Sequence, residues 1–153
     1  MKTEYRSQVG RDRLELILAV LFDEAPHALD GRTYVQKLTF LLQKEADTCG
    51  FVFEPHDYGP FSHELYSTLD YLIENDYITE HEEERENGQI RYCYEAGPWI
   101  EKVFGHGGHD DLRDAAQTVF DEYSTDDLGE LLEEYCSLIQ SSDRPLIGPH
   151  SVR

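Results

Sequence analysis

The stretch Asp57-Tyr58-Gly59-Pro60-Phe61 constrains this chain more than any other. An apolar, strand-like run, Phe51-Val52-Phe53, leads into it, and an amphipathic helical pattern leads out. Glycine reaches backbone angles that other residues resist, and proline pre-sets the angle of a first helical turn. The outgoing helix is expected to open near Phe61, with Ser62 as a second candidate for its cap. A strand therefore hands over to a helix within a few residues, and the rest of the chain has to fit around that corner.

Before the corner, two helical patterns appear. Leu14, Ile17, Leu18 and Leu21 recur at helical spacing from about Gly10 to Phe22, and Leu16, Val20 and Phe22 add a second apolar flank. This helix is expected to be central and to stop at Ala25-Pro26. Leu29-Asp30-Gly31-Arg32 reads as a turn. Thr33 and Gln36 have capping-box spacing for a second helix, with Val35, Leu38, Leu41 and Leu42 on its buried face and Gly50 ending it. Phe51 to Glu54 reads as a short strand ended by Pro55.

After the corner, Leu65, Leu69, Leu72 and Ile73 stripe a third helix from about Phe61 to Asn75. Segments 77–85 and 89–94 flank Glu86-Asn87-Gly88, and Asn-Gly is a strong hairpin signal because both residues tolerate positive φ. Ile90, Tyr92 and Tyr94 alternate onto one face, while Glu80, Glu82, Glu83 and Glu84 mark an edge strand guarded by charge. Gly97-Pro98 opens a short helical stretch to Phe104. A helix over about 109–123 follows, with Leu112, Ala116, Val119 and Phe120 inward. Ser124 and Asp127 begin a last helix carrying Leu128, Leu131, Leu132, Tyr135 and Ile139. These two helices read as an antiparallel hairpin packed on the domain or on a second subunit, the latter giving a homodimer. Residues 141–153 read as a loose tail.

Three helices followed by a two-stranded wing is a winged-helix pattern. The fold expected is α+β and mostly helical. It comprises a winged-helix-like core over 1–96, a C-terminal helical extension over 97–140, and the tail over 141–153.

The formal charge is −19, from 13 Lys and Arg against 32 Asp and Glu, and it is unevenly spread. Residues 1–44 hold seven basic and six acidic side chains, a net of +1, so residues 45–153 carry −20. The bulk of the chain repels nucleic acid and anionic membranes. Such an excess of carboxylates suits high salt, where they keep the surface hydrated and counter-ions screen their repulsion. No apolar run reaches membrane-spanning length, and Met1 to Arg13 lacks the apolar core of a signal peptide, so a cytoplasmic location is expected. Cys49, Cys93 and Cys136 form no CxxC pair and read as buried free thiols.

Chemistry is sparse. His106 and His109 are three apart in a glycine-rich loop, without the paired cysteines or HExxH that would make a zinc site, so no metal is expected. No GxSxG, Walker loop or GxGxxG occurs, so neither an enzyme nor a cofactor is expected. The third helix carries no Lys or Arg, so the counterion release that drives DNA binding is missing there. A DNA-binding regulator adapted to high salt is the alternative, and it would use Arg11, Arg13, Arg32, Lys37 and Lys44 from the neutral third.

Gln36-Lys37-Leu38-Thr39-Phe40-Leu41-Leu42, followed by Phe53-Glu54-Pro55-His56-Asp57-Tyr58-Gly59-Pro60-Phe61-Ser62-His63-Glu64-Leu65-Tyr66, resembles the YwgA-like proteins of bacteria and archaea. It is similar, more distantly, to the Panacea domain of SocA-type antitoxins. Lys37, Leu38, Tyr58, Gly59, Pro60, Leu65 and Tyr66 carry the resemblance, which covers about residues 10–95. Panacea-type domains grip a protein partner, often a toxin, and SocA-type proteins present it to a protease. The resemblance thus implies a non-enzymatic regulatory or adaptor module that binds another protein. Tyr58, Gly59, Pro60, Phe61, Tyr66 and Tyr71 are its expected contact set, since aromatic side chains dominate interface energies.

Overall fold

The computed structural model describes residues 7, 9–56, 59–105, 107 and 109–123. The chain is α+β, with about half of the described residues helical and two small antiparallel sheets. The expected last helix with its Ser124 cap, and the tail, lie outside the described residues, as do Tyr58, His106 and Cys136.

Helix α1 spans Arg11–Glu24. Residues Ile17 through Phe22 are buried on every side of the helix, so it is the central element as its two apolar flanks predict. It ends where Ala25, preceding a proline, turns extended. The expected turn at residue 29 instead contains a two-residue strand, β1 (Leu29–Asp30), with Leu29 inward and Asp30 outward. Two residues are too few to show a periodicity.

Helix α2, Arg32–Ala46, starts one residue before the expected capping box. No side chain caps it, because its N-cap residue is Gly31, and the Gln36 amide is engaged elsewhere. Asp47, in the left-handed region at φ 54°, ends it in place of Gly50. Gly50 serves a different need: a Cβ there would sit 2.4 Å from Gln43 Oε1 and 2.5 Å from Ile17 Cδ1.

The expected strand over 51–54 is displaced. Phe51 and Phe53 are fully buried rings, 6.5 Å apart, and Phe53 meets Phe40 edge-on at 5.4 Å. The strand pairing comes later, between β2 (Glu54–His56) and β3 (Gly59–Phe61). Pro55 does not end β2 but stands opposite Pro60. Neither has an N–H, so this pair suits a non-hydrogen-bonded position of the ladder. Helix α3 then runs His63–Glu74, with Ser62 as cap accepting from the Leu65 N–H at 3.4 Å. The second candidate cap is thus the one used, because residues 59–61 are held as strand.

Strands β4 (Ile78–Glu84) and β5 (Ile90–Ala96) form the expected hairpin. Its loop differs from a two-residue Asn-Gly turn. Arg85 N–H bonds to Gln89 O at 2.7 Å, Gly88 N–H to Arg85 O at 2.9 Å, and Gly88 alone takes positive φ, at 85°. This is a three-residue loop, a turn closed by a left-handed glycine. The sheet order is β1-β5-β4, so the glutamate-rich β4 is an edge, as its sequence predicts.

Helices α4 (Glu101–Phe104) and α5 (Asp110–Glu122) follow. Leu112, Ala115, Ala116 and Val119 of α5 are buried in the same core as α1 and α2, and Ile100 joins them. No described helix is long and apolar enough to cross a membrane.

Candidate functional site

Two glutamines build the corner. Gln36 and Gln43 lie two turns apart on α2, are 2% and 0% exposed, and sit in a row of aliphatic residues. Gln36 donates from Nε2 to Ser62 O at 3.0 Å and accepts from Ser62 N–H at Oε1, 2.9 Å. Gln43 does the same with Phe51, at 3.0 and 2.7 Å. Each amide thus replaces the two ladder bonds that a neighbouring strand would supply, and the buried backbone is satisfied. The segment from Phe51 to Ser62 is pinned to α2 at both ends. Between the pins, Gly59 takes φ 121°, and a Cβ there would lie 3.2 Å from Cε of Lys37, whose stem runs beneath the corner.

Outward from the corner runs a row of rings. Phe61 contacts His56 at 5.1 Å, His63 at 4.7 Å and Tyr66 at 5.2 Å, the last two edge-on. His63 Nε2 lies 3.3 Å from Glu54. The Arg32 guanidinium sits over Tyr66 at 5.2 Å and over Tyr94 at 5.6 Å, joining α3 to the sheet. Arg32 also donates to Asp70 Oδ1 at 2.7 Å and to the Tyr94 hydroxyl at 3.0 Å, and it lies 3.6 Å from Glu80. Tyr94 in turn donates to Glu80 at 2.8 Å.

Electrostatics follow from that geometry. Burial works against the Arg32 charge, but its hydrogen bonds to Asp70 and Tyr94 outweigh it and hold the guanidinium above its ordinary pKa. Burial, reinforced by the bond to Glu80, pushes the Tyr94 phenol up to about 12. Burial likewise raises the Cys93 thiol, against the pull of Arg91.

The contact set expected from sequence separates into parts. Phe61 and Tyr66 are half-buried, in mutual contact, and open on one side to solvent. Gly59 and Pro60 are buried and shape the corner beneath them. Tyr71 belongs to another cluster, stacked 4.8 Å under Arg11 and 6.4 Å from Tyr77. Each of the five cations of the DNA reading has its own surroundings. Arg11 pairs with Glu15 at 3.4 Å, Arg13 donates to Thr48, Arg32 is held by Asp70 and Glu80, Lys37 lies under Gly59, and Lys44 sits in the last turn of α2.

Sequence reasoning missed Gln43, Asp70, Glu80 and Tyr94. The glutamines left a signal, as polar residues seven apart on the apolar stripe of α2. The other three did not, because α3, β4 and β5 bring them to Arg32 only in the folded chain. No cluster of three or more His, Cys, Asp and Glu suited to a metal occurs among the described residues. No protein-family model matches the chain, and no curated protein matches it.

Proposed function

We propose that this protein is a non-enzymatic regulatory or adaptor module that binds a protein partner through the Phe61–Tyr66 surface. One observation carries the reading: beside α3 the chain offers aromatic rings, and the cation there, Arg32, is already balanced by Asp70 and Glu80. Aromatic surface of this kind gives binding energy on desolvation. A phosphate backbone would meet Glu64, Asp70 and the glutamates of β4 instead of free cations. The resemblance of the corner to Panacea-type domains agrees, and an antitoxin-like role is its most specific form. Three helices followed by a hairpin, with β1 completing the hairpin's sheet, support a winged-helix description of the core turned to protein recognition.

The test is co-purification of the full chain from its own cells. A stoichiometric partner is expected with the native chain and with Trp99→Ala, which alters an exposed ring elsewhere, and is expected to be lost with Tyr66→Ala. Retention by Tyr66→Ala rejects this surface. A shift of duplex DNA in molar potassium chloride that disappears on Arg32→Glu and Lys37→Glu would replace the reading by DNA recognition.

A further inference from the structure

An open groove of ≈ 840 Å³ runs along the hairpin beside β1. Its lining includes Arg32, Arg85 and Arg91, three of the nine arginines in a chain of charge −19. It also includes Ile90 and Tyr92, 56% and 42% exposed, two of the three large apolar side chains that stand out from the described surface. The sheet explains the groove. β4 pairs with β5 over its whole length, but β1 covers the other flank of β5 only at Cys93 and Tyr94. Gly31 N–H adds one bond to Tyr92 O at 2.8 Å, and the chain then turns away into α2. Toward Ile90 no described strand lies against that flank.

Two of these arginines, Arg85 and Arg91, are incompletely paired on the groove. Asp30 lies 3.8 Å from Arg85 and 3.5 Å from Arg91, too far for good hydrogen bonds to either. Arg91 spends one nitrogen on Glu83 at 2.7 Å. Guanidinium forks match carboxylates in geometry and charge.

We infer that the groove binds an extended acidic segment of a protein partner, added beside β5 in line with β1. The backbone of the segment pairs with the open flank near Ile90. A Glu or Asp side chain is taken by Arg85 and Arg91, and an aliphatic neighbour lies on Ile90 and Tyr92. Asp30 and Glu80 within the groove, with Glu82 and Glu84 beside it, disfavour a continuous run of phosphates but admit a single carboxylate. This rests on the protein-partner reading and names the chemistry of that partner.

The test titrates the full chain with short fluorescent peptides of valine and threonine that carry one central glutamate, glutamine or lysine. Low and molar potassium chloride are compared, with a single-stranded oligonucleotide alongside. The glutamate peptide is expected to bind about tenfold tighter than the glutamine peptide in low salt, with the gap narrowing in high salt. Arg85→Glu, an exposed change that breaks only a long ion pair, is expected to erase the preference. Arg91→Gln is expected to reduce it, and Tyr92→Ser to weaken both peptides. Equal binding of the two peptides, a preference for lysine, or a preference that survives Arg85→Glu overturns the inference. So does an oligonucleotide that binds tighter than the glutamate peptide and is released by Arg85→Glu. Tyr66→Ala leaves the peptide preference in place, so failure of the groove and failure of the Phe61–Tyr66 surface are separable.

Discussion

At the scale of single residues, the two buried glutamines matter most for position. In Gln43→Leu the side chain keeps its approximate bulk, but Phe51 loses both partners for its backbone N–H and C=O in a dry site. Leaving such groups unsatisfied costs about 1–3 kcal/mol each, so a loss of about 2–6 kcal/mol is expected, read from the urea midpoint. Thr39→Val removes a hydroxyl that bonds only back to Val35 O in its own helix, and is expected to cost under about 1 kcal/mol. Equal effects of the two changes would remove the argument that the glutamines pin the corner. Tyr94 gives a pH prediction. Its unfolded phenol titrates near 10 and its folded phenol at about 12, so the folded chain holds the proton more tightly. That contribution to stability is complete below about pH 10 and is lost as pH rises toward about 12. Urea unfolding across that range is expected to show stability falling with pH, and a shallower fall in Tyr94→Phe.

At the scale of elements, α5 is docked by a charge arrangement as well as by its apolar stripe. α1 ends in Asp23 and Glu24, and carboxylates at a helix C-terminus oppose the dipole. Arg113 of α5 answers both, 2.8 Å from Asp23 and bonded to Glu24, while Gln117 donates to Glu24 at 3.0 Å. Arg113→Ala is expected to cost about 1–3 kcal/mol, with faster amide exchange along α5 than along α3. Unchanged exchange in α5 would show that Leu112, Ala116 and Val119 hold it unaided. Helices α2, α3 and α5 were legible in the sequence because each buries one continuous stripe, and α1 was legible as central because it carries two. The corner was legible as a handover but not in detail. Pro55, read as the end of a strand, and Pro60, read as the opening of a helix, instead face each other across a ladder, and Gln36 leaves its expected capping box to hold Ser62. Arg32 shows the same limit for the site: its partners come from α3, β4 and β5, and no local pattern announces a contact across that distance in sequence.

At the scale of the whole molecule, charge decides how the fold behaves in salt. Residues 45–153 carry −20, and the exposed strand β4 with its loop sets Glu82, Glu84 and Glu86 close together. In dilute buffer these carboxylates repel one another over a distance of roughly 30 Å at 0.01 M ionic strength, against about 10 Å at 0.1 M. The compact state concentrates that repulsion more than the unfolded chain does, so salt is expected to raise the thermal midpoint. Screening and surface hydration make different curves. Screening alone saturates once the screening length falls below the spacing between carboxylates, near a few tenths molar. A surface that keeps its hydration by holding cations goes on gaining stability into the molar range. Glu82→Gln, Glu84→Gln and Glu86→Gln together remove three charges from one face and no hydrogen bond assigned to the core. If screening governs, the triple variant starts higher in dilute salt and meets the native curve at high salt. If cation-held hydration governs, the native chain overtakes the variant in molar potassium chloride, and that crossing is the expected result for a chain with this surplus of carboxylates. Melting both proteins across the salt series by circular dichroism measures it directly, and two flat curves would show that the carboxylates are spaced too widely for their charge to bear on folding.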